Sequence, residues 1–446
     1  MCYFEDAMLD YLKNKKIVIL GFAREGIDTL RFLRRLFPKK AIAVADKLEI
    51  RNLTLEIKNL VKNDKAIESH FGKDYLKKIG DYDIIIKSPG IPPKTIKPLL
   101  RKGQIVTSQT EIFFDNCPGK IIGITGTKGK STTASLIYEV LKKGGIKAHL
   151  LGNIGKPVLS HLFKAKPDDI YVCELSSHQL LNLKKSPQIA VFLNIYPEHL
   201  DYYKDFKQYL KAKQNICRYQ KSSDFFLFNP DNKDVKKTSA FTKAKKIALS
   251  PKKAKEWGRV NLLGGFNLLN MAAAAEVGRI FKIPDKTIAK ALKSFKPLPH
   301  RLEFAGTYKK IRFYNDSLAT IPEATMAALD ALGKDVETIF LGGFDRGLDF
   351  KGLAKRILKS NLKNLVFFPA TGKRIWKEII KLNKKNRFFH CLFTDKMKTG
   401  VAFAYKQTLP GKICLLSCAS PSFGLFKDYR ERGDLFKKCV KEAGRK

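Results

Sequence analysis

The sequence lacks the features of a secreted or membrane-spanning protein. No apolar run approaches the roughly 18 residues that a bilayer-spanning helix requires. The N-terminal segment MCYFEDAMLDYLKNKK places two acids ahead of any apolar stretch, which is not the order of a signal peptide. The eight cysteines are scattered, with no CxxC pair and no histidine at metal-ligand spacing, so we expect reduced thiols. These absences predict a cytoplasmic protein without membrane insertion.

Acidic side chains are scarce relative to basic ones. Lys and Arg number 85 against 42 Asp and Glu, which gives a formal net charge of +43. Such an excess is typical of proteins that bind nucleic acids or anionic membranes. Here the lysines are spread along the chain in short pairs such as Lys15-Lys16 and Lys384-Lys385, with no basic run interleaved with aromatics. We therefore expect a lysine-rich solvated surface and no specific nucleic-acid partner.

The chain of 446 residues is too long for one compact domain. Short β-branched runs alternate with helical stretches, a pattern typical of an α/β fold in which helices cover mostly parallel sheets. We place boundaries near residues 106 and 299, which gives three domains, 1–106, 107–299 and 300–446. The strands are predicted at 16–20, 41–45, 83–87, 120–125, 171–175, 190–195, 225–228, 311–314, 337–341, 365–368 and 413–417, and two of the helices at 206–217 and 267–281.

The strongest motif is GITGTKGKST at 123–132, directly after an apolar strand and before a helix. Glycines allow backbone N–H groups to face a phosphate chain, the helix N-terminus attracts negative charge, a lysine contacts the outer phosphates and a hydroxyl binds Mg²⁺. The first glycine of the common phosphate loop is replaced by Ile124, so this is a variant of it. The motif predicts ATP and Mg²⁺ binding by Gly126, Thr127, Lys128, Gly129, Lys130, Ser131 and Thr132.

A second glycine-containing turn, GFAREG at 21–26, resembles a dinucleotide fingerprint with Asp46 twenty residues further on. Its middle glycine, which would let the backbone approach a pyrophosphate, is replaced by Ala23. A plain strand-to-helix turn therefore explains the segment as well as a nucleotide pocket does.

Further polar side chains follow predicted strands in the central region. Glu174 ends the strand YVCEL, and His199 follows the strand AVFLNI. Parallel sheets place their sites at these carboxyl ends, and Mg²⁺ beside a triphosphate takes one or two carboxylates. Asn267 and Asn270 stand three apart at a helix start, which suits an adenine edge, although an N-cap role explains Asn267 equally well.

Taken together, the motifs of this chain resemble those of the Mur ligases. The resemblance rests on GITGTKGKST, GNIG, CELSSHQL, NIYPEHLDYY, GGFNLLNMAAA, HRLE, NDS and LLSCASPSFGLFKDYRERG, and it covers essentially the whole chain. It implies a Rossmann-like N-terminal domain for a UDP-linked substrate, a central P-loop-type ATPase domain and a Rossmann-like C-terminal domain for the incoming amino acid. A monomer is expected.

The resemblance also implies roles for individual residues. Lys130, His199 and Lys213 would be catalytic, and two Mg²⁺ ions would be bound by Ser131, Glu174, His199 and Lys213, the last as a carbamate. ATP would further be contacted by Asn267, Asn270, Arg301 and Asp316. The UDP-linked substrate would be bound by Arg24, Glu25, Gly26, Asp46, Lys47, Gly90 and Asn153, and glutamate by Thr320, Arg346, Ser422 and Tyr429.

The activity implied is the ATP-dependent addition of glutamate to UDP-N-acetylmuramoyl-L-alanine through an acyl phosphate, in peptidoglycan precursor synthesis. Family members that use D-glutamate usually have a lysine after NDS and another in the GG-containing loop. Here the first position is Leu318, and Arg346 lies near the expected position of the second lysine. This pattern resembles a subgroup of the family that joins L-glutamate, and an Arg fork does not reproduce the geometry of a lysine. We expect D-glutamate, and L-glutamate stays open as an alternative.

Other functions fit the sequence less well. A sister ligase that adds another amino acid or extends folate would share the phosphate loop, but the short GFAREG region and the NDS, GG and SCAS segments favour the glutamate ligase. A nucleic-acid-dependent P-loop ATPase is favoured by charge alone and would need the common loop spacing and a basic groove. A non-enzymatic binding module does not explain so many parts of a phosphate site.

Overall fold

A computed structural model describes residues 12–199, 202–254, 262 and 264–445. Its strands are β1 Ile17–Leu20, β2 Ile42–Asp46, β3 Ile67–Phe71, β4 Ile84–Lys87, β5 Ile105–Thr107, β6 Lys120–Thr125, β7 Ala148–Gly152, β8 Ile170–Glu174, β9 Ile189–Phe192, β10 Phe225–Phe228, β11 Lys245–Ala248, β12 Glu303–Tyr308, β13 Ile311–Asn315, β14 Val336–Gly342, β15 Asn364–Phe368, β16 His390–Phe393 and β17 Ile413–Leu416. Its α-helices are α1 Arg24–Leu36, α2 Leu55–Asn63, α3 Pro93–Ile96, α4 Gln109–Asn116, α5 Lys130–Lys143, α6 Ser177–Leu180, α7 Phe206–Arg218, α8 Lys233–Thr238, α9 Pro251–Ala254, α10 Asn267–Ile280, α11 Asp285–Ser294, α12 Pro322–Leu332, α13 Lys351–Leu358, α14 Thr371–Leu382, α15 Met397–Gln407 and α16 Tyr429–Arg445.

The first sheet is parallel throughout, with the strand order β3-β2-β1-β4-β5. Its central strands β1 (IVIL) and β4 (IIIK) are buried at every position. Such unbroken burial is expected where helices cover both faces of a parallel sheet. Helix α1 follows β1 directly, so the GFAREG turn lies at the carboxyl edge of the sheet.

The second sheet is also parallel, with the order β11-β10-β9-β6-β8-β7. The chain passes from β6 to β7 on one side of β6, and from β8 to β9 across to the other side. The strand order therefore switches at β6. The phosphate loop follows β6, at the position where open α/β sheets bind their ligands.

The third sheet has the order β12-β13-β17-β14-β15-β16, and only the β12–β13 pair is antiparallel among its described strands. Strands β13, β17 and β14 are neighbours, so the loops that follow them meet at one carboxyl edge. The segments NDSLAT, SCASPSF and GGFDRG lie in these three loops.

The described residues divide into two compact units. The first includes residues within 1–257 and 269–292, with the first and second sheets, and the second includes residues within 258–268 and 293–446, with the third sheet. The α/β prediction is confirmed. The boundary at 106 falls within β5 and the boundary at 299 falls between α11 and β12, and the three-domain division stays a prediction.

Most predicted strands are found within one or two residues of their expected ends, and those at 120–125 and 225–228 match fully. The described cysteines form no disulfide, and Cys2 lies outside the described residues. None of the described helices is both long enough and apolar enough to cross a bilayer.

Candidate active site

The loop after β6 has the backbone of a phosphate cradle. Gly126 and Gly129 have φ angles of 158° and 89°, and Gly129 caps the N-terminus of α5. A side chain at Gly129 would also come within 2.6 Å of Asn270 Oδ1. Lys130 folds back over the loop and donates from Nζ to the carbonyl oxygens of Gly126 (2.9 Å) and Thr127 (3.1 Å). The N-terminus of α5 and the Lys130 ammonium therefore both lie at this loop, where a phosphate group could bind.

The loop is held by the end of the neighbouring strand β9. Thr127 N donates to Asn194 O, and the Asn194 amide exchanges hydrogen bonds with the backbone N–H and carbonyl of Lys128. Lys128 Nζ lies 2.9 Å from Glu198 Oε1. Burial alone would raise the pKa of Glu198, but the Lys128 charge and hydrogen bond lower it. Asn194 and Glu198 were not predicted from the sequence. Their position in NIYPEH, just after the apolar strand β9, is the signal that could have indicated them.

Lys213 is buried beside the same loop. It projects from α7, is 1% exposed, and donates to Gly126 O at 3.0 Å and to Thr125 Oγ1 at 3.3 Å. Its Nζ also lies 5.0 Å from the centre of the Tyr209 ring. Burial, and then the Lys130 charge, hold the pKa of Lys213 well below its usual value. Burial therefore favours the uncharged form of this amine.

Glu174 ends β8 and pairs in register with Ile124 of β6. Its carboxylate is 2% exposed; Oε1 accepts a hydrogen bond of 3.3 Å from Asn153 Nδ2, whereas Oε2 is buried without a hydrogen-bond partner. An unsatisfied buried oxygen is costly and suits a cation. No group of three or more His, Cys, Asp or Glu in the described ranges could hold a metal. A metal at Glu174 would therefore take most ligands from phosphate and water, as Mg²⁺ does.

His199 lies in the loop after β9, in the left-handed backbone region with φ of 59°. Its ring is 4.7 Å from that of His178 and 6.2 Å from that of Tyr209, and the Tyr209 hydroxyl is 3.1 Å from Thr127 Oγ1. The structure therefore brings Lys130, Glu174, His199 and Lys213 to one edge of the second sheet. Ser131 and Thr132 begin α5 at the same edge.

The two asparagines of α10 differ in their surroundings. Asn270 Oδ1 accepts a 3.0 Å hydrogen bond from Thr133 Oγ1 on α5 and lies beside Gly129, where it leaves no room for a side chain. Asn267 is buried at the first residue of the helix. Adenine contact by either residue stays a prediction.

The GFAREG turn is held by the end of β2. Both Asp46 oxygens accept backbone hydrogen bonds, from Phe22 N at 2.7 Å and Leu48 N at 2.9 Å. Gly26 is required because a Cβ there would lie 2.3 Å from Gly21 O. Of the residues expected at the UDP-linked substrate, Arg24, Lys47 and Gly90 are exposed at the carboxyl edge of the first sheet, whereas Asn153 follows β7 of the second sheet.

Two side chains of the turn reach the loops of the second sheet within the same unit. The Arg24 guanidinium donates to Gly155 O, and Glu25 Oε1 accepts a 3.0 Å hydrogen bond from Gln179 Nε2. Burial raises the pKa of Glu25, although the Gln179 hydrogen bond and the Arg24 charge oppose it. Gln179 also completes a capping box with Ser176 two residues after Glu174. The first and second sheets therefore meet through polar contacts next to Glu174.

In the second unit, Asp316 is a buried carboxylate at the end of β13. Its Oδ1 accepts from Leu302 N at 3.1 Å and its Oδ2 from Ser417 Oγ at 2.8 Å. Burial raises the pKa of Asp316 to about 7, against these hydrogen bonds and the charges of Arg301 and Arg432. Asp316 is therefore partly protonated near neutral pH.

Three of the expected glutamate residues, Thr320, Arg346 and Ser422, lie in the loops at this edge of the third sheet, and Tyr429 is the first residue of α16. Ser422 is buried, Thr320 and Tyr429 are half-buried, and the Arg346 guanidinium lies 5.8 Å from the centre of the Phe423 ring. The ring of Tyr429 is 5.7 Å from that of His300. The structure thus brings the three loops together, and their contact with glutamate stays a prediction.

Comparison with known proteins places this geometry in context. The Mur ligase middle domain profile matches residues 124–260. A protein named UDP-N-acetylmuramoylalanine–D-glutamate ligase from Clostridium tetani is 30% identical to this chain, and the alignment covers 97% of each sequence. A protein of the same name from Clostridium kluyveri is 32% identical, and the alignment covers 98% of this chain and 99% of the relative. A MurF ligase from Thermotoga maritima in complex with ADP superposes with a TM-score of 0.59, with 16% identity and 97% of each chain covered. The structural likeness at this identity concerns the fold alone.

Proposed function

The chain belongs to the Mur ligase family, and on that premise we propose that it joins D-glutamate to UDP-N-acetylmuramoyl-L-alanine with hydrolysis of ATP, in peptidoglycan precursor synthesis. The observation that carries the proposal is a phosphate loop with Lys130, Glu174 and Lys213 at one sheet edge. It is supported by relatives of at least 30% identity over nearly the whole chain that are named for this reaction. These names favour D-glutamate over L-glutamate, despite Leu318 and Arg346.

In the proposed reaction, an oxygen of the alanine carboxylate attacks the γ-phosphorus of ATP. A new O–P bond forms, the bond to the β–γ bridging oxygen breaks, and ADP leaves. The amine of glutamate then attacks the acyl carbon, and the amide forms as inorganic phosphate leaves. Lys130 lies where its ammonium would neutralise the γ-phosphoryl group, and stabilisation of charge that develops in the transition state is usually the largest catalytic term.

Magnesium fits the site because the buried Glu174 Oε2 has no hydrogen-bond partner. Ser131, Glu174 and His199 would hold it together with phosphate oxygens and water, and two ions are proposed, as in the family pattern. Bound there, Mg²⁺ would supply positive charge against the phosphates. The rest of the arrangement is provided by the chain itself, which orients the Glu174 oxygen through Asn153.

Lys213 is proposed to carry a carbamate. A neutral amine adds CO₂ with formation of an N–C bond and loss of one proton, and the burial of Lys213 favours the neutral amine. The product would be an anionic oxygen ligand beside Gly126, in place of a neutral amine. The negative charge gained in this way would make Lys213 compatible with a second cation.

The two substrates are assigned to separate loops. The GFAREG turn, with Asp46, Lys47, Gly90 and Asn153, is proposed to bind the UDP-linked substrate. All but Asn153 lie at the carboxyl edge of the first sheet, and the Arg24 and Glu25 contacts join that edge to the loops of the second sheet beside Asn153 and Glu174. Glutamate is proposed to bind at Thr320, Arg346, Ser422 and Tyr429 of the second unit, where hydroxyls and a guanidinium suit two carboxylates.

The test is release of phosphate from ATP and Mg²⁺ with UDP-N-acetylmuramoyl-L-alanine, given D-glutamate or L-glutamate separately. We expect release with D-glutamate alone, and a loss of at least roughly 100-fold in Lys130→Ala. Lys142→Ala is the matched control, because Lys142 is an exposed lysine in the last turn of the same helix. Release with L-glutamate alone would reverse the stereochemical assignment, and no release with either would overturn the proposal.

A further inference from the structure

Arg432 is the largest fully buried side chain of the second unit and belongs to none of the groups assigned above. It projects from α16 and is 0% exposed. Its Nε donates to Ser317 Oγ at 3.0 Å, one terminal nitrogen donates to Ser317 O at 2.7 Å, and the other donates to Ser420 O at 3.1 Å. The guanidinium therefore holds both the side chain and the backbone of Ser317.

These bonds join α16 to two of the three loops at the carboxyl edge of the third sheet. Ser317 lies in the loop after β13 that carries Thr320, and Ser420 lies in the loop after β17 that carries Ser422. In the loop after β14, which carries Arg346, a Cβ at Gly343 would come within 3.3 Å of an Arg432 terminal nitrogen. One side chain thus hydrogen-bonds to two of the loops expected to bind glutamate and lies close to the backbone of the third.

The loops are also joined to one another around Arg432. Ser317 Oγ donates to Tyr429 O, and Phe344 N donates to Pro421 O. Thr371 Oγ1 bridges Gly343 O and Ser420 Oγ. Displacement of the guanidinium would therefore move more than one expected contact to glutamate.

The charge of Arg432 is not neutralised by a salt bridge. Its hydrogen-bond acceptors are a hydroxyl and two main-chain carbonyls, and no carboxylate in the described part of the chain forms an ion pair with it. The nearby carboxylate Asp316 has a pKa raised to about 7 by burial, so it offsets the charge only in part. A buried cation without a paired anion is costly unless an anion arrives, and glutamate brings two carboxylates.

We propose that Arg432 is a positioning residue for the incoming amino acid: it holds two of the three loops by hydrogen bonds, lies beside the backbone of the third, and places a positive charge without an ion-pair partner behind them. This inference rests on the proposed function and adds a residue to it. Arg432 does not touch glutamate, because it is fully buried, and it acts through Ser317, Ser420 and the backbone at Gly343. Its fork is needed to hold two loops at once, which a lysine ammonium does not reproduce.

The experiment compares Arg432→Lys with Arg387→Lys. Arg387 is a matched control because it is a half-buried arginine of the second unit that, like Arg432, donates to main-chain carbonyl oxygens, here those of Ile357, Leu358, Ser360 and Leu362. These carbonyls lie at and after the end of α13, away from the three loops. Steady-state phosphate release with each substrate varied in turn, and thermal unfolding, are measured for both variants and for the wild type.

We expect Arg432→Lys to raise the KM for D-glutamate at least tenfold while the KM for UDP-N-acetylmuramoyl-L-alanine changes less than twofold. Arg387→Lys should lower the unfolding temperature and leave both KM values within twofold. An unchanged KM for D-glutamate in Arg432→Lys, or an equal rise for both substrates, overturns the inference while the ligase function stands. A wild type without release dependent on D-glutamate overturns both.

Ser317→Ala keeps the test decisive if Arg432→Lys does not fold. This change removes the hydroxyl that accepts from Arg432 Nε and donates to Tyr429 O, and it keeps the carbonyl that accepts from the terminal nitrogen. We expect a smaller rise in the KM for D-glutamate, about threefold, with kcat within twofold. No rise in this variant would contradict the proposal.

Discussion

Lys213 shows how burial changes the chemistry of a single side chain. On its own sequence it reads as a solvated helix lysine, but the fold buries it beside Lys130 and lowers its pKa. Lys211, two residues earlier on the same helix, is exposed. The difference between the two is the face of α7 that packs on the phosphate loop.

We predict that Lys213→Ala reduces phosphate release on the order of 100-fold, because an anionic group beside the phosphate loop is lost. Lys211→Ala should leave the rate unchanged. In wild-type protein supplied with ¹³C-bicarbonate, a carbamate signal should be seen by NMR and should be absent in Lys213→Ala. Full activity of Lys213→Ala, or no carbamate signal in active wild type, would contradict the assignment.

The raised pKa of Asp316 predicts how the stability of the protein depends on pH. Its pKa is raised from 3.8 to about 7 in the folded state, so its contribution to stability is present in full below its unfolded value and is lost as the pH rises through about 7. At about 1.4 kcal/mol per pKa unit, wild type should lose about 2.5 kcal/mol relative to Asp316→Asn between about pH 5 and pH 8. Urea unfolding at the two pH values measures this difference. A constant difference, or one of opposite sign, would show that the carboxyl is ionised when buried.

At this scale, the sequence was informative where a motif carries the chemistry. Lys130 and Glu174 were recognised from their place after apolar strands, and the structure brings them to one edge. Asn194, Glu198 and Arg432 were missed, because their roles depend on contacts with residues distant in the chain: Asn194 with Lys128, and Arg432 with Ser317. No local spacing encodes such contacts.

Among the secondary-structure elements, inner strands were predicted from the sequence and some edge strands were not. Buried central strands such as β6 and β10 were predicted to the residue, since long apolar runs mark strands that are covered on both faces. The edge strands β3 and β11 were not predicted, because they are partly exposed and their sequences, IESHF and KKIA, have no continuous apolar run. Their place in the sheet depends on pairing with β2 and β10.

The junction of β6 and α5 gives a prediction at the scale of the element. Gly129→Ala would place a Cβ 2.6 Å from Asn270 Oδ1 at a φ of 89°, whereas Gly145→Ala, beyond the other end of α5, would meet a φ of 78° but no atom within 4 Å. Both changes should cost about 1–3 kcal/mol of backbone strain. Only Gly129→Ala should raise the KM for ATP at least tenfold, in assays at saturating second substrates. Equal KM values for ATP in the two variants would show that the close contact between position 129 and Asn270 does not affect ATP binding.

For the whole molecule, the net charge of +43 exceeds what a nucleotide-sugar ligase requires, and no feature of the structure accounts for it. We predict that single-stranded polynucleotide binds weakly, with an affinity that falls as salt is added, and does not stimulate ATP turnover in the absence of D-glutamate. Fluorescence anisotropy and phosphate release measure the two effects. Stimulation by polynucleotide alone would favour a nucleic-acid-dependent ATPase.

The central claim, that this chain activates a carboxylate with the γ-phosphoryl group of ATP, is tested most directly by isotope transfer. UDP-N-acetylmuramoyl-L-alanine labelled with ¹⁸O at both oxygens of the alanine carboxylate is turned over with ATP and D-glutamate, and the released phosphate is analysed by mass spectrometry. The account predicts one ¹⁸O atom in each phosphate and the other in the amide carbonyl, because the C–O bond breaks when the amine displaces phosphate. Unlabelled phosphate, or label in AMP, would contradict it.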